Sequence, residues 1–290
     1  MAAEHSQTLT NRICLVTGAT SGIGEAAARG LAALGATVLV HGRDAGKGRR
    51  TVHAIIRETS NAHVRFVQGD LASLAEVRRL AAELDRSLPR VDVLLLNAGI
   101  ACLHRAVTAD GYETTFAVNH LAPFLLTHLL RAKLRASQDG RVVVVSSEAH
   151  RRMHLDFEDL MLEKDYGQFR AYGRSKLANL LFTRALARRL EGTGTVCNAL
   201  HPGVVRTGIF RDAPALVRGI LATIARPLLL SPERGARTSL HLASAPEAAG
   251  RSGEYYIRCK PARPSAAALD DVAAERLWDT SARLVGVAAA

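Results

Sequence analysis

Short runs of Val, Ile and Leu alternate along the chain with longer stretches in which apolar residues recur every three or four positions. The short runs cover residues 12–16, 36–41, 64–68, 91–96, 141–146 and 195–200; the amphipathic ones cover 22–34, 44–59, 73–88, 111–135 and 171–190. Strands that are apolar at every position are buried on both faces, the condition of a parallel sheet covered by helices. Such alternation over this length predicts an α/β fold, a single Rossmann-type doubly wound parallel sheet with helices on both faces. A last strand at 254–257 is expected at the sheet edge, and the Ala-rich tail after Pro264 reads as helical and then frayed.

Helix punctuation agrees with this pattern. Gly35 follows the apolar pattern that ends at Leu34, as a left-handed helix stop requires, and Asp44 and Ser73 stand where N-caps are wanted. No Gly/Ser/Pro linker divides the chain, so residues 1–290 are expected to form one domain.

The turn after the first short run narrows the function. Thr17-Gly18-Ala19-Thr20-Ser21-Gly22-Ile23-Gly24 joins a buried strand to a helix. Glycines there allow a tight turn, let backbone approach a pyrophosphate and let helix pack on strand, while the helix N-terminus offers N–H groups to phosphate. The second strand then ends in Val40-His41-Gly42-Arg43. A site for NAD places a carboxylate there to accept the ribose hydroxyls. Here Gly42 fills that place, and the planar guanidinium of Arg43 suits a 2′-phosphate, so NADP(H) is the expected cofactor.

Tyr172 and Lys176 lie four residues apart in a helical stretch and therefore share a face. An ammonium near a phenol stabilises the phenolate, which would let Tyr172 exchange a proton with an alcohol or carbonyl oxygen near neutrality. Ser147 ends the run Val142-Val143-Val144-Val145-Ser146, at the carboxyl end of a strand, where ligands bind in such sheets. Its hydroxyl is the candidate to hold the substrate oxygen; Ser146 is the competing choice, since neighbours on a strand point oppositely.

With these residues in hand, the chain resembles the short-chain dehydrogenase/reductase family from about Arg12 to the C-terminal region. The matching residues are Thr17-Gly18-x-x-x-Gly22-x-Gly24, Asn97-Ala98-Gly99, Asn119, Ser147, Tyr172-x-x-x-Lys176 and Pro202-Gly203. The resemblance implies a catalytic set of Asn119, Ser147, Tyr172 and Lys176, with Asn119 supporting a relay water beside Lys176 and Lys176 also contacting the nicotinamide ribose. For the cofactor it implies Gly18, Thr20, Ser21, Gly22, Ile23 and Gly24 at the phosphates and Arg43 at the ribose. Asp70 and Leu71 would flank the adenine, Asn97, Ala98 and Gly99 would line the cleft, and Pro202, Gly203, Val204 and Thr207 would meet the nicotinamide end.

Longer strings resemble the retinol dehydrogenase-like subgroup, which favours NADP(H). They include Ala109-Asp110-Gly111-Tyr112-Glu113, Val118-Asn119-His120-Leu121, and the run from Ser175-Lys176-Leu177-Ala178-Asn179 to Thr183. The separation of Ser147 from Tyr172 (172 − 147 = 25) implies an inserted substrate loop at about 148–171, and the apolar stretch at about 208–230 resembles the family's substrate lid. The resemblance thus implies that residues 1–290 are a single dinucleotide-binding oxidoreductase domain. Two departures stand out: Leu96 replaces the first Asn of the usual Asn-Asn-Ala-Gly, and Met1 to Asn11 is short and polar where membrane-bound retinoid enzymes carry an apolar anchor.

Composition adds boundaries. The chain has 38 Lys+Arg against 27 Asp+Glu, a formal +11, but the basic residues are scattered and aromatics are only 4%, which disfavours nucleic acid as a partner. Four cysteines lack metal or CxxC spacing, Cys14 and Cys197 reading as small core residues, and no metal site is expected. No stretch reaches the ~20 apolar residues of a membrane span. The expectation is a cytoplasmic enzyme, compatible with a homo-oligomer, that acts on a small hydrophobic carbonyl or alcohol, polycyclic or of secondary metabolism, as a ketoreductase. The alternatives are a retinol/retinal dehydrogenase, an epimerase or dehydratase with transient oxidation, and a silent NADP-binding regulator. His150 and His154 read as solvated loop residues, and His201 as support for the turn at Pro202-Gly203.

Overall fold

The computed structural model describes residues 8–204 and 230–289. Among these residues, eight strands form one sheet in the order β3-β2-β1-β4-β5-β6-β7-β8. They are β1 (Ile13–Val16), β2 (Thr37–Gly42), β3 (Val64–Gln68), β4 (Val93–Leu96), β5 (Gly140–Val145), β6 (Thr195–His201), β7 (Tyr255–Ile257) and β8 (Lys260–Pro261). Every pairing is parallel except β7 with β8. The order reverses between β1 and β4, so the crevice at the carboxyl ends of these two strands is the topological switch point where a doubly wound sheet binds its ligand.

Period-2 alternation divides the sheet's side chains between two cores. Leu15, Leu39, Leu94, Leu96, Val142 and Val144 face one, covered by α3 (Leu74–Ser87), α5 (Ala122–Leu129), α7 (Gln168–Arg189) and α9 (Asp271–Val285). Val16, Val38, Val40, Leu95, Val143 and Val145 face the other, under α1 (Gly22–Ala33), α2 (Ala45–Thr59) and α8 (Pro232–Ser244). Asp44 and Ser73 cap α2 and α3 by accepting from Lys47 N at 2.9 Å and Glu76 N at 3.4 Å, and Gly35 takes φ +86°.

Three local expectations change. The stretch 111–135 is not one helix: it breaks into α4 (Thr114–Phe116), a π-helical turn (Ala117–Leu121), α5 and α6 (Arg131–Arg135). Strand β7 is not the edge, because the short antiparallel β8 lies outside it, where exposed Lys260 and Pro261 blunt further pairing. The C-terminal tail is held rather than frayed: Gly286 closes α9 at φ +64°, and Trp278 Nε1 donates to Ala289 O at 2.8 Å.

Candidate active site

The first wall of the crevice is built by close approach of backbone. Gly18 takes φ +63°, and a Cβ on it would stand 2.9 Å from Ala98 Cα. A Cβ on Gly24 would stand 2.4 Å from both Asn97 Nδ2 and Gly18 O. Buried Thr17 staples the facing turn, its Oγ1 accepting from Asn97 N at 2.9 Å and Ala98 N at 3.1 Å, while Asn97 Nδ2 donates to Thr17 O at 2.9 Å. Helix α1 begins at Gly22 behind Ser21, whose side chain makes no capping bond, and Ile23 turns inward at 7% exposure. The α1 terminus thus faces the crevice uncapped, which fits a dinucleotide pyrophosphate. Leu96, the departure from Asn, lies in the apolar core beside Leu94.

At the end of β2 the missing carboxylate has a steric reason. A Cβ on Gly42 would lie 2.6 Å from Thr20 Cγ2, so any larger residue there requires Thr20 to shift. Arg43 is exposed, and its guanidinium has no hydrogen-bond or ion-pair partner among the described residues, while Asp44 beside it is spent on the α2 cap. Asp70 and Leu71 follow β3; Asp70 Oδ1 accepts from Ala72 N at 2.9 Å, and Leu71 is buried.

His41 is a residue that pattern reading passed over. Its Nδ1 lies 3.4 Å from Gly18 N and its Nε2 3.1 Å from Gly69 O, and Ala19 N donates to His41 O at 2.9 Å, so one ring ties the Gly-rich turn to β2 and β3. Burial pushes its pKa down to about 4, so the ring is neutral at pH 7, accepting at Nδ1 and donating at Nε2.

The second wall is a set of buried side chains. Ser146 Oγ donates to Lys176 O at 2.8 Å, turning into the fold, whereas Ser147 shares a hydrogen bond with Tyr172. Between the two serines, the one facing the phenol is Ser147. Lys176 Nζ donates to Val145 O at 2.9 Å and stands 5.5 Å from the Tyr172 ring centroid. Gly99 packs beside it, a Cβ there falling 3.2 Å from Nζ. Asn119, fully buried on the π-helical turn, accepts from Ile100 N at 2.8 Å and donates to Ile100 O and Ser175 Oγ, each at 2.9 Å. Single π turns inside helices recur at functional sites.

The electrostatics depart from expectation at Tyr172. Burial raises its pKa above the usual tyrosine value, and the Ser147 hydrogen bond pulls back only part of the way. The ammonium does not reverse this, because its hydrogen bond goes to Val145 O rather than to the phenol oxygen. Burial instead brings Lys176 down to about 8, which leaves it mostly charged at pH 7.

Pro202, Gly203 and Val204 follow β6 at the same end of the sheet; Gly203 takes φ +89°, and Leu230 N donates to Val204 O at 2.8 Å. Thr207 and, of the lid expected at about 208–230, every residue before Leu230 lie outside the described residues. His150 corrects the solvated reading: it is fully buried, with Nδ1 2.6 Å from Ser147 O and Nε2 accepting from Ser265 N at 3.1 Å. It braces the loop after Ser147 from beneath, while His154 is exposed. His201 Nδ1 accepts from Glu148 N at 3.4 Å, tying the end of β6 to the same loop. The inserted loop folds back on the 101–113 segment through Tyr166 OH to Cys102 O at 2.7 Å and Gln168 Nε2 to Ala101 O at 2.9 Å.

Comparison with known proteins decides the family. The short chain dehydrogenase model matches residues 12–215. The chain belongs to the short-chain dehydrogenase/reductase family. As a member it is an oxidoreductase acting on CH–OH and C=O groups, a family that uses a nicotinamide dinucleotide. It is 42% identical over 285 residues to retinol dehydrogenase 14 of Mus musculus, covering 94% of this chain and 85% of that protein. Among solved structures, an uncharacterized protein from Mycobacterium Paratuberculosis is 33% identical at TM-score 0.80, covering 99% of this chain and 98% of the other. The Pseudomonas aeruginosa RhlG/NADP active-site complex is 28% identical at TM-score 0.69, covering 88% and 96%. Among the described residues of this short-chain dehydrogenase, no helix is long and apolar enough to cross a membrane.

Proposed function

We propose that this protein is an NADP(H)-dependent ketoreductase, interconverting a carbonyl and an alcohol on a hydrophobic, polycyclic or secondary-metabolite substrate. The observation that carries the reading is the hydrogen bond between Ser147 and Tyr172, with Lys176 Nζ 5.5 Å from the phenol ring, at the carboxyl end of β5. NADPH, when bound, supplies the hydride. The choice of NADP(H) rests on Gly42, which stands where a carboxylate would accept the ribose hydroxyls and is crowded by Thr20, and on the guanidinium of Arg43, which has no partner among the described residues. It is further supported by the NADP named in the RhlG complex.

In this reading Ser147 holds the substrate oxygen and Tyr172 delivers a proton to it. A phenol whose pKa burial has raised is protonated across the physiological range, the form a general acid requires. Lys176, still charged at pH 7, stabilises the phenolate left behind. Asn119 fixes the Ile100 backbone and Ser175 beneath the pair. The Gly-rich turn and the α1 terminus hold the pyrophosphate, Arg43 the 2′-phosphate, and Pro202, Gly203 and Val204 flank the nicotinamide.

A second reading, a retinol/retinal dehydrogenase, is favoured by the retinol dehydrogenase 14 relative, whose similarity spans 94% of the chain. Both readings share one test. NADPH oxidation is followed with aromatic ketones and with all-trans-retinal, for the parent protein and Tyr172→Phe. The variant is expected to lose about 10²- to 10⁴-fold in kcat, the usual contribution of a positioned acid. Equal turnover by Tyr172→Phe would sink the mechanism, and tight NADPH binding without turnover of any carbonyl would make the protein a silent regulator. Preference between ketone and retinal separates the two substrate readings.

A further inference from the structure

Beneath the catalytic pair lies a line of buried polar side chains with no part in the steps above. His120, the neighbour of Asn119 on the π-helical turn, is 1% exposed inside a box of Phe116, Phe124 and Phe182. Burial pushes its pKa down to about 3, so the ring stays neutral, with one nitrogen donating and one accepting. Nε2 lies 2.8 Å from Ser281 Oγ on α9. Nδ1 and the side-chain oxygen of Asn179 are each buried without a partner at strict hydrogen-bond geometry, while the Asn179 side chain itself interacts with the imidazole. Buried polar atoms are costly unless matched. The arrangement matches them if Nδ1–H points at Asn179 Oδ1 and Ser281 O–H donates to Nε2.

That tautomer fixes the Asn179 amide with its Nδ2 towards β5, where it lies 3.4 Å from Val145 O. The same carbonyl accepts from Lys176 Nζ at 2.9 Å. A carbonyl oxygen has two lone pairs. With one taken by Asn179, the ammonium keeps a single direction of approach, and a flipped amide would instead set oxygen against oxygen. We infer that His120 and Asn179 are positioning residues for Lys176, and that Ser281 of α9 selects the imidazole tautomer this requires. The inference rests on the reading of Lys176 as part of the proton-handling set.

The test uses two amides that mimic opposite nitrogens of the ring. His120→Asn keeps a donor near the Nδ1 position and loses the link to Ser281; His120→Gln keeps the Ser281 link and loses the donor to Asn179. Turnover is measured per NADPH-binding site, with all-trans-retinal or acetophenone, whichever is faster, and Tyr172→Phe runs alongside. Both His120 variants are expected to lose thermal stability. Only His120→Gln should lose about tenfold or more in kcat, at unchanged KM for the carbonyl, as a displaced catalytic group does; His120→Asn should retain most of it. Equal kcat in the two variants overturns the inference even when Tyr172→Phe is inactive, whereas an active Tyr172→Phe overturns the underlying mechanism and this inference with it. If neither His120 variant folds, Asn179→Leu is read the same way: a tenfold kcat loss at constant KM supports the inference, and kcat within about twofold of the parent overturns it.

Discussion

At the carboxyl ends of β1 and β2 the protein makes room by leaving side chains out. Gly18, Gly24 and Gly42 each sit where a Cβ would collide with backbone or with a neighbouring side chain, and the α1 N-terminus beside them carries no side-chain cap. At the carboxyl end of β5 it does the reverse, filling space with Ser146, Lys176, Asn119, Ser175 and Asn179, all buried and most hydrogen-bonded to main-chain carbonyls. A pyrophosphate is large, charged and invariant, so fixed backbone dipoles recognise it well. A proton transfer needs atoms held to a fraction of an ångström, which takes rigid side chains with partners of their own.

Lys176→Met puts the largest strain on this contrast, because activity and stability should move in opposite directions. The ammonium is buried and its pKa falls from 10.5 to about 8 in the folded state. Folding therefore disfavours the charged form. The cost is fully present below pH 8 and fades as pH rises towards 10.5, where the unfolded chain also loses the proton. At about 1.4 kcal/mol per pKa unit, removing the charge should stabilise the fold at pH 7 by on the order of 3 kcal/mol. Meanwhile kcat should drop on the order of 10²-fold or more. Paired urea unfolding and NADPH oxidation measure the two; a variant both less active and less stable would mean that Lys176 holds the fold rather than serving the chemistry.

Arg43→Ala probes the opposite end and should leave chemistry alone. Hydrogen bonds to charged groups are worth about 1.5–3 kcal/mol, so NADPH should bind about 10- to 100-fold more weakly while NADH changes little. Fluorescence titration with each dinucleotide checks it. If both respond alike, the phosphate is held elsewhere and the contrast loses its cofactor side.

The same contrast governs what the sequence disclosed. Backbone solutions leave local marks: glycines between a strand and a helix, caps at Asp44 and Ser73, and Gly42 in place of an acid are readable where they stand. Most strands were legible for the same reason, since β1, β4 and β5 are nearly unbroken apolar runs, whereas β8, only Lys260 and Pro261, leaves no such mark. Side-chain solutions depend on residues far apart in the chain. His41 binds Gly69 O across 28 positions and His120 meets Ser281 across 161, and nothing in local periodicity announces either pair. The π-helical turn at Asn119 hid within a stretch read as one helix, although Pro123 at the start of α5 marks a fresh helical entry. His150 read as solvated because it sits in a polar loop; tertiary folding of that loop onto Ser265 and Tyr255 buries it.

The mildest test is a pH profile, and it follows from the two ends having different titrations. Kcat/KM for NADPH reports groups of the free enzyme. Burial keeps His41 near 4 and His120 near 3, and holds Tyr172 protonated above the usual tyrosine range, so none of the three changes charge between pH 6 and 9. Lys176, at about 8, does. In the proposed mechanism its ammonium is the charge that stabilises the developing phenolate, and it is lost as pH rises. Carbonyl reduction should therefore hold level to about pH 7, reach half its plateau near 8, and fall with unit slope beyond. Residual turnover in Lys176→Met should lack that limb. A limb that survives the substitution belongs to another group, and the buried ammonium would then not be what the catalytic end is built around.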